Sequence, residues 1–199
     1  ERIRDNLLES KTFSSLASSL ALTGKFDQAL RAVDEIITNN NERSKALSSI
    51  ASSLAQATDL ENRHSLFNKA IKAAERIENE EYKSQALSSI ASFLAQATGL
   101  SNHHALFDQV LRVAEGIRND EKSKALSSLA SSLSQAGYID EARDCFDRAL
   151  KEAEKIKTLM RKFKILSSIT SSLAQAGKFD QALKTVEGIR DDVEKSQVL

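Results

Sequence analysis

Proline and tryptophan are absent from this sequence, and it has one cysteine and only six glycines. A sheet-rich protein would need many more turn residues and more β-branched ones, so an all-helical chain is the expectation. The lone cysteine, Cys145, excludes an internal disulfide and fits a reducing, cytoplasmic setting. Charge of one sign is missing too: 28 basic and 28 acidic residues cancel. That balance gives no field for phosphates or anionic lipid, so nucleic acid and membrane surfaces are not expected partners. No apolar run approaches the length that crosses a bilayer.

What is present is repetition. The stretch from Leu166 to Ile189 reads as two amphipathic helices separated by Gly177. The first carries Leu166, Ile169, Leu173 and Ala176 at helical spacing; the second carries Phe179, Ala182, Leu183, Val186 and Ile189. Five copies align, with first helices opening at Phe13, Leu47, Leu87, Leu126 and Leu166 and second helices led by Phe26, Phe67, Phe107, Phe146 and Phe179. Helix pairs of this kind bury their stripes only against neighbouring copies, so one continuous array is expected.

The three middle copies carry seven extra residues before the second-helix phenylalanine: TDLENRHSL, TGLSNHHAL and GYIDEARDC stand where repeat one has Gly24-Lys25. Seven residues are two helical turns, which keeps the stripe nearly in phase and predicts a second helix lengthened at its N-terminus. A longer loop is the alternative in repeats two and three, where Asp59 and Asn62, or Gly99 and Asn102, would cap. Glu1 to Arg4 match the close of a second helix, and EKSQVL at the other end copies the lead-in EKSKAL before Leu126. The chain therefore reads as a piece of a longer array, and weak end-to-end self-association through Ile3, Leu7, Val198 and Leu199 is expected.

These residues resemble the tetratricopeptide repeat (TPR) family. Its pattern of large, Leu-small, large, Gly, Ala, aromatic and Ala falls in repeat four on Leu126, Leu129 with Ala130, Leu133, Gly137, Ala142, Phe146 and Ala149. The resemblance implies an all-α, right-handed α-solenoid of about five stacked antiparallel helix pairs, spanning residues 1–199 as a single array. It also implies first helices lining a concave face and a habit of binding proteins. The chain departs from the pattern in lacking the usual tryptophan and closing proline, in Thr58 and Thr98 at the turn glycine, and in Arg63 and His103 at a small-residue position.

The related pentatricopeptide pattern, G-x-x-x-x-A-L, also fits Gly177, Ala182 and Leu183. Members of that family read RNA with two variable positions per repeat. Here the first would be Ser14, Ser48, Ser88, Ser127 and Ser167, and the second Glu9, Arg43, Lys83, Lys122 and Lys162. A nearly constant pair encodes no sequence, so RNA is not the expected ligand.

The candidate groove follows from an SSxxSS pattern in the first helices. At 100° per residue, Leu47, Ile50, Ala51 and Leu54 fill one arc and the serines fill the opposite one. Its candidate residues are Ser48, Ser52 and Gln56, then Ser88, Ser92, Phe93 and Gln96, then Ser127, Ser131 and Gln135, bordered by Lys45 and Lys124. The serines admit two readings, close helix packing with hydroxyls bonded back to the preceding turn or a hydrogen-bonding floor for an extended peptide. Phe93 breaks the serine row in the central repeat, as a core filler or as an anchor for a ligand.

Other chemistry is not expected. His103 and His104 point about 100° apart on a helix, and no Cys or carboxylate pair completes a metal site with His64 and His104. Cys145 sits on a packing face, and no phosphate loop or nucleophile elbow is present. The expectation is a non-enzymatic scaffold without cofactor or metal that binds a protein or peptide. A structural spacer or self-assembling rod is the alternative, favoured by the uniformity of the serine rows.

Overall fold

The structure is a computed structural model that describes the backbone of residues 2–100, 102–118 and 120–197, and side chains between 7 and 189 apart from 101 and 119. The expectations placed on Ile3, Val198 and Leu199 lie outside the described side chains. Ten helices are described and no strand: α1 (Arg2–Leu22), α2 (Phe26–Glu35), α3 (Asn40–Gln56), α4 (Arg63–Glu75), α5 (Glu80–Gln96), α6 (His103–Gly116), α7 (Glu121–Gln135), α8 (Ile139–Glu154), α9 (Leu159–Gln175) and α10 (Phe179–Gln197). They form five helix pairs, the all-α repeat architecture expected from the stripes.

The chain divides into two compact units, Glu1–Ile117 and Arg118–Leu199. In the first, α1, α3 and α5 pack side by side as one layer and α2, α4 and α6 as a second. The inward stripes are fully buried, Leu47, Ile50 and Leu54 of α3 and Leu87, Ile90 and Leu94 of α5, as are Phe67 and Ile71 of α4, which packs against both helices. In the second unit α7 packs on α8 and α9, and α9 on α10, around Leu126, Leu129, Leu133, Phe146, Ile169 and Leu173. Polar pairs tie successive second helices together on their outer side. In three cases the residue after a phenylalanine meets the residue two after the next: Asp27 with Lys69 (2.7 Å), Asn68 with Gln109 (3.3 Å) and Asp147 with Gln181 (2.8 Å).

The connections explain where the insertion goes. After α1, α7 and α9 the chain turns at Gly24, Gly137 and Gly177, with φ of 78°, 89° and 72°. Each glycine N–H donates three residues back, and the following N–H donates five back, as in Lys25 to Leu20 O and Tyr138 to Leu133 O. This Schellman closure needs a left-handed residue, which glycine supplies without a Cβ penalty. Thr58 and Thr98 cannot supply it, so α3 and α5 leave the helix at Ala57 (ψ 69°) and Ala97 (ψ 99°).

The lengthened second helix therefore holds only for repeat four, where α8 starts seven residues before Phe146. In repeats two and three the extra residues divide between a loop and one helical turn, because α4 and α6 start four residues before Phe67 and Phe107. Asn62 and Asn102 do occupy the N-cap positions, although neither side chain caps. Arg63 fixes the first loop. Its buried guanidinium donates to Thr98 O and, over 3.5 Å, to Ala55 O.

A candidate binding cleft on the first helices

Inward turning of Ala46, Leu47, Ile50, Ala51 and Leu54 leaves Ser48, Ser49, Ser52 and Ser53 of α3 on the opposite face, half-buried. These four hydroxyls form the floor of an open cleft of about 330 Å³. One wall is α1, through Ser18 and Leu22; the other is Phe93 of α5, and Gln56 completes the lining. Leu22 is 80% exposed, an unusual state for a leucine on a polar row, and the Phe93 ring is half-buried with part of its surface in the cleft. No lining residue is charged or titratable.

The hydroxyls differ between repeats. Ser14 donates across to Glu42 O on α3 (3.2 Å), and Ser18 and Ser19 donate back to Ser14 O and Ser15 O (3.0 Å each). Ser132 donates back to Ser128 O (3.1 Å) and Ser127 to Lys124 O (3.1 Å). Among the described residues the hydroxyls of Ser48, Ser49, Ser52 and Ser53 have no protein partner. The packing role thus fits repeats one and four, and the floor of α3 keeps its donors and acceptors for solvent or a ligand.

Of the candidate residues, Ser48, Ser52, Gln56 and Phe93 are brought together in this cleft. Ser88 and Ser92 lie half-buried beside Phe93 on α5, where the exposed Gln96 donates to Ser92 O (3.1 Å). Ser127 and Ser131 are buried, which corrects the expectation that repeat four offers them as a floor: the close surroundings of α7 leave their hydroxyls no open face. Gln135 is exposed. Lys45 and Lys124 are drawn to acids one turn earlier, Glu42 (2.9 Å) and Glu121 (2.6 Å), and neither lines the cleft. Ser18, Ser49, Ser53 and Leu22 also line the cleft and stand outside the candidate groove; the three serines belong to the SSxxSS rows, and the apolar residue missed is Leu22. Its signal was present, since it replaces the glutamine that recurs as Gln56, Gln96, Gln135 and Gln175.

Among the described residues no three His, Cys, Asp or Glu side chains gather where they would hold a metal ion, and no described helix is long and apolar enough to cross a membrane. Cys145 is a buried free thiol.

The model of the PPR (pentatricopeptide) repeat matches residues 11–41 and 125–153, the first and fourth copies. Over 92% of its length the chain superposes on the crystal structure of Ton1535 from Thermococcus onnurineus NA1, with 27% identity and a TM-score of 0.56. It spans 53%, about half, of that protein. A crystal structure of a putative kinesin light chain with nearly identical TPR-like repeats, from Podosopora anserina, aligns over 94% of this chain and 95% of its own, at 12% identity and a TM-score of 0.46. No curated protein matches the sequence. The chain is an all-α helical-repeat protein, two of whose copies are similar to the PPR repeat.

Where the second position of the PPR pattern holds a cation, that cation is paired within the chain, Lys83 with Glu80 at 3.7 Å. Arg43 donates from Nε to Val33 O (3.0 Å) and from Nη2 to Asp34 O (3.1 Å), capping the end of α2. Lys162 meets Glu154 at the end of α8 (2.6 Å), and Lys122 lies 3.9 Å from Glu152. The first position is a buried serine at Ser14 and Ser127, half-buried at Ser48 and Ser88, and exposed at Ser167.

Proposed function

We propose that this chain is a non-enzymatic scaffold that binds a protein or peptide through its first helices, with the cleft between α1, α3 and α5 as the main seat. The observation that carries the reading is an uncharged floor of four unpaired hydroxyls between two apolar walls, Leu22 and Phe93. Hydroxyls of this kind can hydrogen-bond a peptide backbone without regard to sequence, while an apolar side chain of the ligand inserts between leucine and phenylalanine. Ser88, Ser92 and Gln96 would extend the contact along α5, and Gln135 and Lys124 are candidates on α7. A reducing, cytoplasmic setting belongs to the same reading and rests on the single cysteine.

A second reading, RNA binding, is favoured by the PPR match. Against it weigh the zero net charge, the absence of any cation from the cleft lining, and the pairing of Arg43, Lys83, Lys122 and Lys162 within the chain, since phosphate attraction supplies most nucleic-acid affinity.

Selection from a random peptide library against the immobilised chain, run beside a random RNA pool, tests the two together. The scaffold reading expects enriched peptides with an apolar anchor, whose affinity falls at least several-fold in Phe93→Ser and in Leu22→Asp while the melting temperature stays near the parent's. A large fall in melting temperature for Phe93→Ser with peptide affinity intact would return the ring to the core. Retention of RNA with a steep salt dependence, and of no peptide, would favour the second reading.

A further inference from the structure

Five of the eight residues that line the cleft, Ser48, Ser49, Ser52, Ser53 and Gln56, run along one face of α3. From Ser48 to Gln56 that face rises about 12 Å, at 1.5 Å per residue. The cleft is therefore a trough along the axis of α3, with α1 on one side and α5 on the other. Its polar groups form two rows with a four-residue step, Ser48, Ser52 and Gln56, and Ser49 and Ser53. Four residues of helix rise about 6 Å. An extended peptide presents a backbone N–H and C=O on one edge at every second residue, about 6.6 Å apart. The two repeats differ by only about 0.6 Å per step, within the reach of a rotating hydroxyl or a glutamine side chain. A helix laid in the same trough would bring a backbone already hydrogen-bonded to itself, and the hydroxyls would gain nothing from it.

An extended peptide set edge-on to this floor points successive side chains to opposite sides, one towards Leu22 of α1 and the next towards Phe93 of α5. The stagger of the two walls suits neighbours in sequence. By repeat position Phe93 stands level with Ser53 and Leu22 with Gln56, which is about 4.5 Å along the axis. One step of extended chain, about 3.3 Å, comes nearer to this than three steps, about 10 Å. Two steps would turn both side chains to the same wall.

We infer that the occupant is an uncharged, extended segment of a partner protein lying along α3. One backbone edge sits on the Ser48, Ser52 and Gln56 row, and two neighbouring apolar residues meet Leu22 and Phe93. The inference rests on the scaffold reading and gives its cleft a ligand class. No lining residue is charged, so a charged side chain seated there would lose hydration with no partner to replace it.

Blocked octapeptides of threonine and serine carrying two leucines at every spacing are the probe, titrated against the whole chain by calorimetry. Neighbouring leucines should bind at least several-fold tighter than leucines one residue apart. N-methylation of each peptide nitrogen in turn, in the tightest member, should weaken binding at alternate positions and spare those between. Ser52→Ala should keep the parent's melting temperature and flatten that alternation at the middle of the row. Equal affinity for the two leucine spacings, N-methyl losses at consecutive positions, or no binding of any member at millimolar concentration overturns the inference. The scaffold reading is judged apart: it survives each of these results if peptides from the random library still bind and still lose affinity in Phe93→Ser and Leu22→Asp.

Discussion

Arg63, His103 and Ala142 occupy one position of the repeat and do three different things. Ala142 lets α8 begin directly after the glycine turn, while the Arg63 guanidinium fills the space between two loops and satisfies carbonyl oxygens at the end of α3 and at Thr98. Carbonyls at a helix C-terminus carry partial negative charge, which eases burial of the cation. His103 is half-buried, and desolvation is the main reason its imidazole titrates below the ordinary value of 6.5; Arg63 pushes the same way, and backbone bonds with Ala97 and Leu94 oppose. The folded chain therefore binds a proton at His103 less readily than the unfolded chain. Stability from this group is full above pH 6.5 and is lost as pH falls below it towards the depressed folded value. Urea unfolding at pH 7.5 and pH 5.5 should show the chain weaker at the lower pH, and His103→Gln should shrink that difference. An equal pH effect in the variant would place the sensitivity elsewhere.

The same letters also have different fates at the serine positions. Ser48 and Ser127 are equivalent in sequence, yet Ser48 is half-buried with a free hydroxyl and Ser127 is buried and bonded to Lys124 O. Periodicity placed both serines opposite the apolar stripe, which is a statement about one helix. Exposure depends on the neighbouring elements, and no local pattern carries that. Phe93 and Leu22 were visible as breaks in their rows; that α3 brings them to opposite sides of one cleft was not, because they lie on helices two repeats apart.

At the scale of the element, the apolar spacing located the ten helices but not their starts. The first helices begin at Arg2, Asn40, Glu80, Glu121 and Leu159, ahead of the expected Phe13, Leu47, Leu87, Leu126 and Leu166, because polar residues at a helix start carry no stripe. The helix close expected at Glu1–Arg4 and the lead-in expected from Glu194 are not seen, since α1 runs on from Arg2 and α10 through to Gln197. Glycine decided how the pairs were joined. A helix stripe is set by 3.6-residue geometry, so Leu47, Ile50 and Leu54 or Phe67 and Ile71 are buried as their spacing requires. The insertion was less legible, since its division into loop and helix depends on the Arg63 contact with Thr98, 35 residues away. Gly137 tests the turn argument cleanly. A Cβ built there meets nothing within 4 Å, so Gly137→Ala would add no clash, and its cost lies in the left-handed φ of 89° alone. Denaturation should show a loss of about 1 kcal/mol. Gly116 is the last residue of α6, without a left-handed φ and likewise open around its Cβ, and Gly116→Ala should instead stabilise by about 0.4–1 kcal/mol through the lower entropy of the unfolded chain. Equal effects at the two positions would refute the assignment.

For the whole molecule, the open question is whether residues 1–199 melt as one array or as two units. Repeat arrays gain stability from each repeat and each interface between neighbours, and the contacts fall into two compact sets, Glu1–Ile117 and Arg118–Leu199. The two tyrosines report on them separately, Tyr82 on α5 and Tyr138 at the head of α8. Leu133 is nearly buried in the second unit, and Leu133→Asp places a charge in that core at a cost of several kcal/mol, on the order of 3–5. With Tyr82→Phe or Tyr138→Phe to isolate each signal, the Leu133→Asp chain should lose the folded fluorescence of Tyr138 at low denaturant. It should keep that of Tyr82, with the helical signal falling by roughly the share of the second unit. Loss of both tyrosine signals in one transition would instead mean that the five helix pairs form a single cooperative array.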